Sequence, residues 1–388
     1  MSSTAERRRG GVRAAAVLLV AWLACSSAAA GSLAAEEAAL AKADPKDRTL
    51  HAMRAGVSAL REDARDVAAR HLDAALEAIE SVFSNREGAA KARSLWYEEG
   101  SKDFKGEPYE RAMAFYYRGL VYLTEGDYEN ARASFRSGLM QSSFAQEERY
   151  RSGFATLMFL DGWASQLLQD PQARDAYDEA AQYRKDWKRP ETDHDTLVIA
   201  ELAGSPRKVG DGVGHHEIVY RKARRTPEAV AEVRIGDGAP LRLYRMEDLF
   251  WQATHRGERA IDRIIDGKVQ FQAGTAAAGD ALGRIASEGS VVSAAVGGGG
   301  GAALGGLAAV GAIASLVALN VKPAADVRYW NNLPETLHVA TLHTGGSEPE
   351  VAVRLFDEAG QPVSSPALVV RQWRDPRGNR LVWIKSRD

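Results

Sequence analysis

Residues 112–143 read AMAFYYRGLVYLTEGDYENARASFRSGLMQSS and contain two helical patterns separated by a single break. Apolar side chains recur at steps of three and four residues, which places them on one face of a helix. The stripe of the first helix begins just upstream and comprises Tyr109, Met113, Tyr116, Leu120 and Leu123. Gly126-Asp127 interrupts the pattern, and Asp127 can cap the second helix by accepting a backbone N–H bond. The stretch therefore predicts a helix–turn–helix unit.

The spacing of small and aromatic residues in this unit resembles a tetratricopeptide repeat, which pairs two helices over about 34 residues. The matching positions are Gly119, Tyr122, Gly126, Tyr128, Ala131, Phe135 and Gly138. Weaker copies of the same intervals occur in residues 49–82 (Gly56, Ala68, Leu72 and Ala75) and in residues 154–187 (Ala173, Tyr177 and Ala180). We therefore expect a tetratricopeptide-like helical domain over residues 44–187, with a plain helical bundle as the alternative. The partner-groove candidates are Tyr116, Leu120 and Tyr122.

The N-terminal residues 1–35 have the pattern of a bacterial export signal. Four arginines precede the apolar run AAAVLLVAWLA at residues 14–24, which is too short to span a bilayer but suits a signal peptide. Cys25 follows directly and resembles the lipidated cysteine of a lipobox, although Trp22 stands where an aliphatic residue is usual. The alternative is cleavage near Ala30, which would release a soluble periplasmic protein. In both cases the mature chain is expected to be exported.

Residues 195–388 show short apolar stretches bounded by turn residues, which is typical of strands. Stretches 229–235 and 239–245 flank a Gly-Asp-Gly turn, and further strands are predicted at 350–356, 367–373 and 380–386. The alternation in these stretches favours a small antiparallel sheet with one solvated face. The predicted fold class is therefore α+β, with tetratricopeptide-like repeats followed by a β-rich domain.

A Gly/Ala-rich apolar segment at residues 290–321 interrupts the β-rich domain and carries no charged residue. It is long enough to span a bilayer, but it is poor in large aliphatic side chains. Gly297, Gly301 and Gly305 fall four residues apart, a spacing that lets another helix approach closely. We expect a close-packed helix or helical hairpin, either buried in the protein or associated with membrane, where it could drive self-assembly.

The sequence offers little that points to catalysis. The single cysteine lies in the signal region, and no nucleophile elbow of the G-x-S-x-G type is present. GDGVGHHE at 210–217 lacks the strand-to-helix context of a phosphate loop, and its adjacent histidines would point to opposite faces of a strand. The net charge of -2 and the isolated basic run at 221–225 give no nucleic-acid platform. We expect no enzymatic activity, no metal and no cofactor.

A wider resemblance rests on four stretches: residues 99–136 around the repeat, AGSPRK at 203–208, EDLFWQATHRGERAIDRIIDGK at 247–268 and DVRYWNNLPETLHVA at 326–340. Together they resemble a family of bacterial envelope lipoproteins with an N-terminal tetratricopeptide region. The resemblance implies a periplasmic protein, anchored to the outer membrane, that binds protein partners in the envelope. The alternative is a membrane-inserting subunit that forms homo-oligomers through residues 290–321.

Overall fold

The structure, a computed structural model, describes residues 32–84, 103–143, 153–211, 217–254, 326–346 and 349–387. The signal region with Cys25, the Gly/Ala-rich segment with Gly297, Gly301 and Gly305, and most of the 210–217 stretch lie outside the described residues. The described part is a mixed helix-and-sheet protein, as the α+β prediction requires.

Eight α-helices lie in the described part of the chain. They are α1 (Leu33–Lys42), α2 (Arg48–Arg61), α3 (Arg65–Ser84), α4 (Pro108–Glu125), α5 (Tyr128–Ser143), α6 (Ala155–Leu167), α7 (Ala173–Tyr183) and α8 (Leu249–Thr254). From α1 to α7 each helix packs against the next one in the chain. Short turns connect α2 to α3, α4 to α5 and α6 to α7, so these helices form three consecutive pairs.

The predicted break between α4 and α5 is confirmed. Gly126 ends α4 in the left-handed conformation with a φ of 73°, which glycine adopts without a steric penalty. The Asp127 carboxylate then accepts the backbone N–H of Asn130 at 3.2 Å and caps α5. At the other end of α4, Glu107 and Glu110 form a reciprocal capping box. Both ends of the helix are thus specified by neighbouring residues in the sequence.

Each of the three helix pairs brings a glycine of its first helix against a large side chain of its second helix. The distances from a methyl group placed on the glycine to that side chain would be 2.2 Å for Gly119 and Phe135, 2.5 Å for Gly162 and Tyr177, and 2.8 Å for Gly56 and Leu72. Such distances are far below a normal contact between carbon atoms. The two helices of a pair can therefore approach this closely only because the first helix lacks a side chain there.

Eleven β-strands form three sheets in the described ranges. They are β1 (Thr196–Leu202), β2 (Arg207–Asp211), β3 (Glu217–Arg221), β4 (Val230–Ile235), β5 (Leu241–Arg242), β6 (Tyr244–Asp248), β7 (Thr336–Leu342), β8 (Val351–Phe356), β9 (Pro362–Val363), β10 (Val369–Arg374) and β11 (Arg380–Lys385). The largest sheet has five strands in the order β10-β11-β1-β7-β6, a second has the order β5-β4-β8-β9, and β2 pairs with β3.

The five-stranded sheet lies between the helices and the four-stranded sheet. Successive side chains of a strand point to opposite faces, and β1 follows this rule. Leu197 and Ile199 belong to the large core that contains the helices, whereas Val198 and Ala200 pack with Val233 and other residues of the four-stranded sheet. The described part of the chain is therefore layered as helices, five-stranded sheet and four-stranded sheet. Its residues from the predicted helical domain and from the predicted β-rich domain share one core.

Helices α2, α4 and α6 face the five-stranded sheet, and we call them the inner helices. For α2, the Asn332 amide just before β7 donates to the Arg54 carbonyl at 3.1 Å. For α4, the Tyr116 hydroxyl donates to the Glu201 carboxylate of β1. For α6, Trp163 lines a void of about 10 Å³ together with Trp373 of β10. Helices α3, α5 and α7 pack on the inner helices, and we call them the outer helices.

The predicted strands at 350–356, 367–373 and 380–386 are confirmed as β8, β10 and β11, and the 229–245 hairpin as β4 and β5. The prediction of a small antiparallel sheet with one solvated face is wrong for the largest sheet. There β1 runs parallel to β11, and every residue of both strands is buried. Their apolar runs are typical of strands that are covered on both faces.

None of the helices in the described ranges combines the length and the apolarity that a membrane span requires.

Candidate functional site

The three partner-groove candidates lie on α4, but the structure separates them by exposure. Tyr116 and Leu120 are 0% and 1% exposed, because the five-stranded sheet covers the inner helices. Tyr122 is partly buried, and the Arg118 guanidinium lies 3.7 Å from the centre of its ring. A partner could therefore reach Tyr122 on this surface, but neither Tyr116 nor Leu120.

The most concentrated polar chemistry in the described residues is a buried group around Glu201, which we call the Glu201 centre. The Glu201 carboxylate accepts hydrogen bonds from the Tyr116 hydroxyl at 3.1 Å, the Tyr117 hydroxyl at 2.7 Å, the Trp383 indole at 2.7 Å and the Lys385 ammonium at 2.8 Å. All five side chains are buried. A carboxylate accepts about four hydrogen bonds, so these four donors occupy all of its acceptor positions.

Burial and charge determine the protonation of the tyrosines in the Glu201 centre. Burial and the Glu201 charge raise the pKa values of Tyr116 and Tyr117 well above their usual range, and burial lowers the pKa of Lys385. Both tyrosines therefore remain neutral donors. The centre joins α4 to β1 and β11 from within the core, where each of its five side chains is at most 1% exposed. The sequence signal for the centre was Glu201, a charged residue within the apolar run TLVIAEL at 196–202. It was not identified from the sequence alone.

A second buried group fixes the segment before β7 to the helices. Burial raises the pKa of Glu110 to about 7, and its carboxyl accepts the backbone N–H groups of Trp330 at 2.6 Å and Glu107 at 2.7 Å. Lys208 forms a buried ion pair of 2.8 Å with Glu107. Trp330 is fully buried, and its indole donates to Asn332 at 2.6 Å. These contacts are internal, so this group also serves the fold.

An open groove runs across the outer helices and has a volume of about 340 Å³. We call it the outer groove. Its lining includes Arg136 and Leu139 of α5, Asp161 of α6, and Gln172, Asp175 and Glu179 at and along α7. Inside the groove the Arg136 guanidinium donates to Asp161 at 3.0 Å and to Gln172 at 3.1 Å. Burial raises the pKa of Asp161, and the neighbouring Arg136 opposes that rise.

The charge of the outer groove is unbalanced. Arg136 is paired with Asp161, whereas Asp175 and Glu179 are exposed and have no ion-pair partner among the described residues. They lie four residues apart, and therefore on one face of α7. Asp178 on the same helix is paired with Arg189 and Arg174. The outer groove thus presents two free carboxylates beside the half-buried side chain of Leu139.

One further group has metal-ligating residue types. The ligand atoms of Glu191, Asp193 and His194 lie within 4.8 Å of one another in the loop before β1. The His194 Nδ1 atom is 2.8 Å from the Thr341 hydroxyl. The geometry does not by itself indicate an ion.

Comparison of the chain with protein-family models, with curated proteins and with solved structures gives no match.

Proposed function

We propose that the chain is a non-catalytic bacterial envelope protein that binds another protein through its helical repeats. Export is supported by the signal pattern of residues 1–35, and a lipid anchor by the position of Cys25 after the apolar run. The mature protein would lie in the periplasm, held to the outer membrane by its N-terminus. It would act as a scaffold there, without a metal or a cofactor.

The repeat interpretation is supported by the same contact recurring in three helix pairs. A glycine of the first helix meets a large side chain of the second in each pair, and the first two pairs have the same interval between these residues. In tetratricopeptide-like repeats, small residues allow the paired helices to touch. The recurrence favours three degenerate repeats over a plain bundle, because a bundle does not require it.

The observation that carries the proposal is the contrast between the two faces of the helical layer. The chain's own sheet covers the inner helices, while the outer groove remains open and carries Asp175 and Glu179 without ion-pair partners in the described ranges. We therefore place partner binding in the outer groove. Charge complementarity favours a basic segment of the partner, with apolar side chains that pack on Leu139.

The two free carboxylates would act mainly on specificity and association rate. Exposed ion pairs contribute about 0.2–1 kcal/mol each, so affinity must come largely from apolar burial and good fit. Complementary charges accelerate encounter and disfavour wrong partners. Binding should consequently weaken as the salt concentration rises.

The test compares three forms of the full-length protein in the cells that make it. The forms are the natural chain, a groove variant (Asp175→Lys with Glu179→Lys) and a control variant (Glu77→Lys with Glu80→Lys). Glu77 and Glu80 are exposed on α3, so the control changes the net charge equally on another outer helix. Each form is crosslinked, captured in mild detergent and analysed by mass spectrometry, and the recovered partner is then purified for affinity measurements.

A partner in stoichiometric amount should appear with the natural chain and the control, and be lost with the groove variant. Equal recovery with all three forms would remove the outer groove from the proposal. Recovery of the protein with itself alone, as a large species, would instead favour self-assembly through residues 290–321. Deletion of that segment would then abolish the large species.

A separate experiment tests the anchor. Cys25→Ser should release the protein from the membrane fraction into the soluble periplasmic fraction. If the variant stays in the membrane fraction, lipidation of Cys25 is not what holds the protein there.

A further inference from the structure

A second open cleft lies away from the outer groove, between the end of α7 and α8, and has a volume of about 670 Å³. Ligand-binding clefts of proteins commonly have volumes of about 300–1,000 Å³. Two aromatic side chains line it while remaining unusually exposed, Tyr183 at 45% and Trp251 at 38%. We call it the aromatic cleft.

Contacts within the fold hold the two elements that carry the rings of the aromatic cleft. Tyr183 lies directly over Gly153, where a methyl group would be 2.3 Å from the tyrosine ring. The Gly153 carbonyl also accepts a hydrogen bond from Gln252 of α8 at 3.3 Å. Trp251 lies on α8, and its backbone N–H donates to the Asp248 carboxylate at 2.9 Å. Gly153 thus contacts both elements that carry the two rings.

Hydrogen-bonding groups surround the rings, and the charged ones include both cations and carboxylates. Arg184 is tied to the Met246 carbonyl at 3.1 Å and lies 3.6 Å from the Glu247 carboxylate. Arg245 donates to Asp248 at 2.6 Å. The remaining lining charges, one cation and one carboxylate, are the exposed neighbours Lys185 and Asp186. The cleft therefore offers both hydrogen-bond donors and hydrogen-bond acceptors to a ligand.

We propose that the aromatic cleft binds a neutral oligosaccharide. Sugar rings have an apolar face of C–H groups that can stack on Tyr183 and Trp251, and their hydroxyl groups both donate and accept hydrogen bonds. The lining matches both properties. An acidic ligand would meet the lining carboxylates of Asp186 and Asp248, and a purely apolar ligand would leave the charged lining without hydrogen-bond partners.

The test is isothermal titration of the full-length protein with three tetrasaccharides: chitotetraose, cellotetraose and maltotetraose. At least one should bind with a Kd of roughly 1 mM or lower. Trp251→Ala and Tyr183→Ala should each weaken that binding by about tenfold or more, while Trp251→Phe retains most of it. Met140→Ala is the matched control, since Met140 is exposed on α5 outside the cleft. Thermal unfolding of each variant confirms that the fold is intact.

The proposal is overturned if none of the three sugars binds at roughly 10 mM, or if Trp251→Ala binds as well as the natural chain. Tighter binding of tetragalacturonate than of every neutral tetrasaccharide would also overturn it, because the cleft would then be an anion site. The inference stands apart from partner binding. The variant with Asp175→Lys and Glu179→Lys should bind the sugar unchanged, whether or not it loses its protein partner.

Discussion

The inner and outer helices differ in what covers them. Inner helix α4 lies between its neighbouring helices and the five-stranded sheet, so most of its residues are buried, including the ionisable residues Glu110 and Arg111. Outer helix α7 buries Ala176, Tyr177 and Ala180 and leaves its acidic face in solvent. A helical array can offer a partner only the surface that its own chain leaves open. This difference is why we propose the outer helices as the partner surface.

The largest effect on stability should follow from breaking the Glu201 centre, which joins the inner helices to the sheet. Glu201→Leu leaves the buried Lys385 without its counter-charge and three further donors without an acceptor. Removal of one partner from a buried ion pair costs about 3–5 kcal/mol. Urea unfolding should show a loss of at least that size.

The control for this prediction is the double variant Glu201→Leu with Lys385→Met, which removes the buried charge as well. It should be more stable than the single variant, although less stable than the natural protein. A single variant that unfolds at the natural urea concentration would contradict the assigned role of the Glu201 centre.

The next effect concerns pH and Glu247, which is fully buried at the end of β6. Burial raises its pKa from 4.5 to about 7, so the folded state holds this proton more tightly than the unfolded state does. The associated stability is complete below about pH 4.5 and is lost as the pH rises through about 7. The loss should be on the order of 3 kcal/mol at most.

Urea unfolding between pH 4.5 and pH 8 measures this dependence. Glu247→Gln should flatten the profile in part, and Glu110→Gln should flatten it further, because the pKa of Glu110 is raised in the same direction. Glu77→Gln, at an exposed position, should leave the slope unchanged. If Glu247→Gln retains the full slope, Glu247 is not the group that titrates.

A smaller effect is expected where inner and outer helices touch. Gly119→Ala forces a methyl group against the Phe135 ring, and overpacking of this kind costs about 1–3 kcal/mol. Without the clash, replacing glycine by alanine would stabilise the helix by about 1 kcal/mol. A net loss of stability would therefore come from the close packing of the two helices. Gly56→Ala should cost less, because the facing Leu72 side chain is flexible and the clash is milder.

Phe135→Leu in the Gly119→Ala background should recover part of the lost stability, since it makes room for the methyl group. Thermal unfolding ranks the stability of Gly119→Ala, Gly56→Ala and the double variant Gly119→Ala with Phe135→Leu. A Gly119→Ala protein more stable than the natural one would mean that the helices of this pair are not in close contact.

The smallest effect on stability belongs to the outer groove. The variant with Asp175→Lys and Glu179→Lys should change the free energy of unfolding by no more than about 0.5 kcal/mol, because both side chains are exposed. Its partner binding should nevertheless be lost. Thermal unfolding and affinity measurement on the same preparation separate the two effects, and a large loss of stability would show that α7 depends on these carboxylates.

Local signals made part of this fold predictable. Gly126 and Asp127 define the turn between α4 and α5 from adjacent residues, and the apolar runs of β8, β10 and β11 mark strands directly. The parallel pairing of β1 with β11 joins stretches far apart in the chain, and no local pattern encodes it. The sequence contained one sign of this pairing, a charged residue near the end of each apolar strand. These two residues, Glu201 and Lys385, are direct neighbours in the pairing.

The candidate surface was harder to predict than the fold. Tyr116 and Leu120 have the spacing of an exposed groove, but the same spacing describes a core stripe, and the covering sheet lies about 80 residues later in the sequence. Asp175 and Glu179 look like any solvated helix face until the three-dimensional arrangement shows Arg136 paired with Asp161 rather than with them. Which carboxylates remain unpaired is a tertiary property.

Carbodiimide labelling of carboxylates would test the contrast between the two faces most directly. The purified full-length protein and the complex captured from cells are labelled in parallel and read by mass spectrometry. We predict that Asp175 and Glu179 are labelled in the purified protein and protected in the complex. Glu77 and Glu80 should be labelled in both samples, and Glu201 in neither. Undiminished labelling of Asp175 and Glu179 in the complex, or labelling of Glu201 in the purified protein, would contradict the account.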